Sequence, residues 1–505
     1  MEYIIDALGM GWWYLFENPI TFLYIIGGVF LGLVFGAIPG LTATLGVVLI
    51  LPFTYILAPE DGMALLLAIY VGGIAGGLIA SVLLNIPGSP AAMVTCFDGS
   101  PMARNGRPAD ALYLGTFSSA VGGILSAIVL VLLASQLAKI ALKFGAWEYF
   151  GLGIFGVCIV VKLCADDYIK GFLGIIIGMT IAMVGMDPVL MNNRFTYGVW
   201  QLEGGFPQVA TLMGLFALTE IYTQVNKMFA KEKIHTIPVQ KVGFLPSKGL
   251  LGKPGMLKNI LRSAAIGTGI GILPGVGQTT SSLLAYNAAK GSDPHPEKYG
   301  TGCEEGIVSS ETANNACCGG ALIPMLSLGI PGDTVTAVLL GGLMIHGMTP
   351  GPLLFRDHQH IIGAIYIVFI LSNIIMFLME IGLIRVFIRV LSSPVNILFP
   401  AILAMCTLGS FAANNKIFDC WIFLFIGVIG FLLLNSGFSL PPIILGFILG
   451  PIIEDSWRVA MISSRGDIFS IATHPIAYGL LIVSAVVLLW PVFMRSLKNS
   501  RLQSA

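Results

Sequence analysis

Apolar residues run along this chain in long unbroken stretches, with short polar joints between them. The stretches fall near 20–57, 62–85, 111–138, 146–163, 169–186, 206–229, 260–287, 316–346, 360–391, 394–412, 417–435, 440–453 and 468–494. They do not alternate with period two, so they predict helices and exclude the strands of a β-barrel. A bilayer is crossed by roughly 20 apolar residues in a helix, so the pattern predicts an all-α polytopic membrane protein with about 10–14 transmembrane or re-entrant helices. Runs as long as 20–57 exceed one crossing and are expected to bend or re-enter.

One long polar break divides the pattern. Lys227, Lys231, Lys233, Lys241, Lys248, Lys253, Lys258 and Arg262 stand there with Glu232 as the sole acid. Basic loops stay in the cytoplasm. The tail carries Arg495, Lys498 and Arg501 and reads the same way. The N-terminus holds Glu2, Asp6 and Glu17 without a basic residue, so it reads as external and lacks the basic start of a signal peptide. The expected organisation is a first membrane repeat over 1–225, a basic cytoplasmic loop over 226–259, a second membrane repeat over 260–494 and a basic cytoplasmic tail over 495–505. Opposite orientation of the repeats follows if the first half crosses an odd number of times. The basic tail then requires one re-entrant or extra terminal helix.

The halves share motifs. Gly32 to Gly40 and Gly267 to Gly275 both read G-x3-G-x2-P-G, with an offset of 235 from Pro39 to Pro274. Thr44 and Thr279 each stand five residues after that Pro. Asn85-Ile86-Pro87-Gly88-Ser89 pairs with Gly329-Ile330-Pro331-Gly332-Asp333 at an offset of 244. The polar stretch 291–300, without a clear counterpart in the first half, accounts for the difference.

A Pro removes an N–H and clashes with the carbonyl four residues back, and Gly lets the chain leave helical geometry. One such pair is ordinarily a kink. Ordered pairs in both halves match the broken helices of repeat-built transporters, whose breaks meet at the substrate. Half-helix N-termini suit a carboxylate, and unwound carbonyls suit a sodium ion. Candidate substrate-binding residues are therefore Pro39, Gly40, Thr42, Thr44, Asn85, Pro87, Gly88, Ser89, Pro274, Gly275, Gln278, Thr279, Thr280, Asn314, Asn315, Pro331 and Gly332. Thr44, Thr279 and Asn315 are the places for a coupling Na+, the sole cofactor expected. Helix packing through Ser and Thr is the plainer alternative. Glu311 and Asp333 are functional candidates as intramembrane acids, or boundary residues. Arg104 and Arg107 suit a polyanion or a basic cytoplasmic loop.

Composition sharpens the class. Of 505 residues 56% are hydrophobic and 10% charged, and mean hydropathy is +0.90. That is too little charge to cover a soluble enzyme of this size, where about a quarter is usual. Lys+Arg and Asp+Glu are 26 each, which leaves no basic excess for nucleic acid. Eight Cys include no CxxC and read as buried free thiols. No G-x4-G-K-[ST], H-E-x-x-H or G-x-S-x-G occurs, so neither a P-loop nor those hydrolase sites are expected.

Gly36-Ala37-Ile38-Pro39-Gly40-Leu41-Thr42-Ala43-Thr44 resembles the first signature of the large membrane subunit of the tripartite tricarboxylate transporter family. The stretch from Glu311 through Asn314, Asn315, Gly319, Gly320 and Pro324 to Ile330-Pro331-Gly332-Asp333 resembles the second, with Gly271-Ile272-Leu273-Pro274-Gly275 between them. Cys317-Cys318 replaces the small aliphatic residues usual there, and Asp333 a frequent Ser. The resemblance implies a multi-pass permease of a bacterial or archaeal inner membrane. It also implies a small four-helix membrane subunit and an extracytoplasmic solute-binding protein as partners. Its substrates are citrate and smaller di- or tricarboxylates, moved by an ion gradient. The function expected is symport of such a carboxylate with Na+ or H+. A channel and a membrane-embedded enzyme are the alternatives.

Overall fold

A computed structural model describes residues 2–164, 167–187, 189, 191–229, 247, 250, 253, 255–390 and 395–488. The basic loop at 226–259 falls largely outside these residues, and the tail at 495–505 wholly so. The described residues are largely helical. Among the described residues five helices are long and apolar enough to cross a membrane, and six further apolar helices are shorter. In lipid each backbone group must be satisfied within its own segment, which is why apolar runs become helices.

The first half runs α1 (Glu2–Glu17), α2 (Ile20–Ala37), α3 (Ala43–Ile50), α4 (Pro59–Leu84), α5 (Cys96–Arg104), α6 (Pro108–Ala141), α7 (Ala146–Cys164) and α8 (Tyr168–Ala182). A two-stranded antiparallel hairpin follows, pairing Gly185 with Arg194 and Met186 with Asn193. α9 (Gln208–Met213) then passes through a π turn at Gly214–Leu218 into α10 (Thr219–Phe229). The second half runs α11 (Met256–Gly271), α12 (Gly277–Ser292), α13 (Glu304–Leu328), α14 (Thr334–Ile345), α15 (Pro352–Asp357), α16 (Gln359–Gly382), α17 (Ile384–Val390), α18 (Val395–Asn414), α19 (Ile417–Asn435) and α20 (Leu440–Ser463). A last apolar helix spans Pro475–Leu488.

Several boundaries differ from those the hydropathy suggested. α13 starts at Glu304, twelve residues before the apolar run at 316, because its polar stretch 309–315 is buried in protein rather than looped out. α20 continues ten residues past 453 for a related reason: Glu454 and Arg458 pair along it at 2.7 Å. α1 is a helix although acidic residues interrupt its apolar face. It docks by Gly11 on the backbone of Gly363 in α16.

The described chain forms two compact units. One comprises Met1–Ala138, Gln208–Ile272 and Gly277–Phe431; the other comprises Lys139–Pro207, Leu273–Val276 and Leu432–Ala505. Each draws on both halves of the sequence, a different partition from the division at the basic loop.

The larger unit is built around α4 and α13. α4 has 26 residues, about 39 Å at 1.5 Å per residue, and it is the most enclosed of the long apolar helices. Small residues permit this. Without water to drive association, helices in lipid hold together by close backbone packing. A Cβ on Gly32 of α2 would meet the Ile69 carbonyl, and one on Gly36 the Gly73 carbonyl. The equivalents in α11 repeat this: Gly267 meets the Ala313 carbonyl and Gly271 the Cys317 carbonyl. Gly32 and Gly36 are offset from Gly267 and Gly271 by 235, and Ile69 and Gly73 from Ala313 and Cys317 by 244. These are the offsets of the sequence motifs. The extra length of the second half falls in the link between α12 and α13, which wraps onto α5: Asp98 Oδ1 accepts from the N–H groups of Gly300, Gly302 and Cys303 at 2.7–2.9 Å.

In the smaller unit α20 packs against α7 and α8. Gly178 of α8 leaves room for the Ile443 backbone, and Gly446 of α20 for that of Ile175. The hairpin is tied to α20 by ions: Arg194 reaches Glu454 at 2.5 Å and Arg458 reaches Asp187 at 2.7 Å. An apolar cavity of about 400 Å³ lies in this unit, lined by Phe150, Met179, Met183, Gly450, Ile453 and Trp457 beside that ion cluster.

Candidate functional site

Each predicted break is a break in the structure. α2 ends at Ala37, its C-cap Ile38 turns extended, and Gly40 takes φ +89° before Thr42 caps α3 by accepting from the Leu45 N–H at 3.1 Å. In the second half α11 ends at Gly271 and Gly275 takes φ +73° before α12 begins at Gly277. The other two breaks also match. Asn85 after α4 and Gly329 after α13 both adopt left-handed conformation, at φ 55° and 71°. Gly needs no allowance there, and Asn tolerates it better than most residues.

Three contacts link the breaks of the larger unit. Gly88 packs on the Gly36 carbonyl, and Gly332 packs on the Gly271 carbonyl. These two contacts are again equivalent at the motif offsets. Between the halves, the Thr44 and Thr334 hydroxyls share a hydrogen bond of 3.1 Å, joining α3 to α14. Gln278 at the start of α12 donates to Asp333 Oδ2 and to the Tyr70 hydroxyl at 2.9 Å, and Tyr70 also donates to Asp333. All three side chains are buried.

Asp333 has a second task. Its Oδ1 accepts from the Thr336 N–H at 2.7 Å, while the Thr336 hydroxyl accepts from the Asp333 N–H at 2.9 Å, a reciprocal cap on α14. The positive end of α14 is thus occupied by the chain's own carboxylate. Ser89 is the first-half counterpart of Asp333. Its hydroxyl is buried and makes no hydrogen bond.

Pro274 and Gly275 lie in the smaller unit, among Val160 and Leu445, where a Cβ on Gly275 would strike the Val160 side chain. Gly40, by contrast, lies under the Gln224 amide of α10, which donates to Glu220 at 2.7 Å. Thr279 and Thr280 are half-buried on α12. Asn314 and Asn315 are 1% exposed on α13, and Asn315 donates to the Glu311 carbonyl at 3.4 Å. No hydrogen bond joins Thr44, Thr279 and Asn315 to one another. Among the described residues no group of three or more His, Cys, Asp or Glu is arranged to hold a metal ion. Asn85 is exposed, Pro39 and Pro87 are half-buried, and Pro331 is buried.

Tyr70, Thr334 and Gln224 were not foreseen. Tyr70 stands in the apolar run of α4, where Ser81 is the other hydroxyl, and that hydroxyl in an apolar run was the available signal. Arg107 is engaged rather than open to a polyanion: it reaches Asp110 at 2.7 Å and Glu304 at 2.8 Å, and Lys253 also pairs with Glu304. The Cys303 thiol, outside the spanning segments, is pushed up to about 12 by burial and by Glu305 beside it, which makes it inert.

Residues 22–445 match the family described as the tripartite tricarboxylate transporter TctA family. The chain is similar to an uncharacterized 52.8 kDa protein in the TAR-I ttuC' 3' region of Agrobacterium vitis, at 33% identity over 95% of this chain and 94% of that one. A second uncharacterized protein, from the TAR-II ttuC' 3' region of Agrobacterium vitis, is 35% identical over 43% of this chain and 89% of its own length. No solved structure matches.

Proposed function

Because this chain belongs to the tripartite tricarboxylate transporter TctA family, we propose that it is the permease of a binding-protein-dependent system for secondary active uptake of a small citrate-like di- or tricarboxylate. It works in the inner membrane with a small four-helix subunit and an extracytoplasmic solute-binding protein. The observation that carries this reading is the linking of helix breaks by polar side chains inside the protein, Thr44 with Thr334 and Tyr70 and Gln278 with Asp333.

The geometry also divides the labour. The first turn of α14 already holds Asp333. We assign the substrate's carboxylates to the first turns of α3 and α12, whose leading N–H groups have no intrahelical partner, Thr42 taking the Leu45 N–H of α3. Thr44 and Thr279 stand in those turns, and Gly40 lets the chain approach without a Cβ. The two halves are read as repeats of opposite orientation, and alternating access follows from moving one repeat-built body against another.

The test is uptake in proteoliposomes holding the permease and its small subunit, with the solute-binding protein outside and labelled citrate, malate, succinate and tartrate in turn. Accumulation against a gradient supports the reading. Equilibration alone indicates a channel, and a chemically altered product an enzyme. Within the same assay, loss of a neutral hydroxyl bond of about 0.5–1.5 kcal/mol at Thr44→Ala or Thr279→Ala is expected to weaken apparent affinity by about 2- to 13-fold. Gly40→Val, which forces a β-branched residue to φ +89° under Gln224, is expected to lose uptake. Parental kinetics in all three variants would reduce the breaks to kinks.

A further inference from the structure

We propose that Glu311 and Glu380 form a separate ionic site that holds one exchangeable proton, and that this proton is the ion whose passage is coupled to the carboxylate. This rests on the transport reading above. Glu311 of α13 and Glu380 of α16 are 0% and 1% exposed. α6 lies between the two helices. Its Gly122 packs on the Thr312 backbone of α13, and its Gly123 faces Asn373 of α16. One to two turns earlier on α6, Ser119 donates to Glu311 Oε2 at 2.8 Å, and Thr116 lies beside Glu380. Thr95 donates to the other oxygen of Glu311. The two acids thus flank one short stretch of α6.

Their environments differ. Glu311 has two hydroxyl donors, which favour an anion. Neither oxygen of Glu380 accepts a hydrogen bond of normal geometry, and the Thr116 hydroxyl already donates to the Leu112 carbonyl at 2.9 Å. Asn314, 1% exposed beside Glu311, likewise leaves both its amide atoms without a well-formed partner. No ion pair reaches either acid among the described residues. The titratable group facing Glu380 is Glu311, and the one facing Glu311 besides Glu380 is the Cys96 thiol. Two uncompensated charges in such a place are strongly disfavoured by the loss of hydration. One proton between them removes that cost, so the pair titrates as a unit. Glu380, with bare oxygens, is the member that gives up the proton and takes it back. No other atom changes hands.

The position suits coupling. Glu311 lies seven residues into α13 from Glu304, about 10 Å from the end where Lys253 and Arg107 gather. In the other direction Cys317, on which Gly271 packs, is six residues or about 9 Å away. Glu311 therefore stands between the level of the end of α11 and the basic end of α13, on the same helix as Asn314 and Asn315.

The test uses the complete complex in proteoliposomes with labelled citrate. An imposed pH gradient, acid on the side of uptake, is expected to drive accumulation by the parent. Glu380→Gln is expected to lose that accumulation yet retain citrate–citrate exchange, because a carrier fixed in its neutral form can return loaded. Accumulation by Glu380→Gln equal to the parent's overturns the proposal, as does accumulation by the parent that follows a Na+ gradient and ignores pH. Should Glu380→Gln fail to fold, Glu380→Asp keeps the carboxyl on a shorter arm. It is expected to shift the pH profile of uptake, and an unshifted profile overturns the proposal. A parent that moves none of the four carboxylates in exchange or uptake brings down the transport reading itself, and the proton site with it.

Discussion

Replacing Asp333 by Ala is expected to lower stability by about 2–5 kcal/mol, from a lost helix cap of about 1 kcal/mol and two interhelical bonds whose donors stay buried. Tyr70 and Gln278 reach into the protein from α4 and α12 and meet at that carboxylate. The effect is read as the melting temperature of the detergent-solubilised protein, by the loss of its monodisperse peak after heating. Asp333→Asn, which keeps one acceptor for the Tyr70 hydroxyl, is expected to fall between the parent and the Ala variant. Ser, the residue at the first-half position, retains a cap on α14 but does not reach Tyr70. If Asp333→Ala melts with the parent, the network joining the halves does not exist as described.

The second large effect concerns the glycines where breaks meet backbone. Gly88→Ala and Gly332→Ala each add one carbon, and each carbon would fall on a carbonyl oxygen, that of Gly36 or of Gly271. Backbone on both sides prevents relief by a rotamer change. Overpacking of this kind costs about 1–3 kcal/mol, sometimes more. Because the two contacts are equivalent, the two variants are expected to lose melting temperature and uptake to similar degrees. A contrasting Gly106→Ala, with open space around the new carbon and a left-handed backbone, isolates the conformational cost alone. Indistinguishable melting of Gly332→Ala and the parent would show that the approach is looser than drawn.

Much of this architecture was legible because lipid enforces simple rules. Apolar length gives helices, and Pro with Gly gives their interruptions, so every break was placed correctly to within a few residues. The offsets of 235 and 244 were also readable, and they recur as packing contacts that no local pattern could contain. Other features were hidden for definite reasons. α13 carries Ser309, Ser310, Glu311, Thr312, Asn314 and Asn315 in sequence, a composition that looks like a loop end until α6 is seen covering it. Tyr70 and Glu380 were lost in apolar runs where one polar residue barely alters the average. The assignment of Pro274 and Gly275 to a different compact unit from Pro39 and Gly40 could not be read at all, since matched motifs imply matched surroundings. Here one break lies beneath an amide and the other among Val160 and Leu445.

The larger unit draws its polar pairs from both halves of the sequence, and this sets terms for biosynthesis. Thr44, Tyr70, Thr95 and Ser119 leave the ribosome and enter the bilayer well before Thr334, Asp333 and Glu311 are translated. During that interval the hydroxyls have no partner across the interface. A Ser or Thr in a helix can turn back to the carbonyl one turn earlier, as Thr116 still does with Leu112. A tyrosine cannot reach that far, and Tyr70 must wait with its hydroxyl in the lipid, beside the insertion machinery or against a neighbouring nascent helix. The glycine-lined face of α4 is open over the same interval. The first half therefore holds these hydroxyls without their interhelical partners until α13 and α14 have been made.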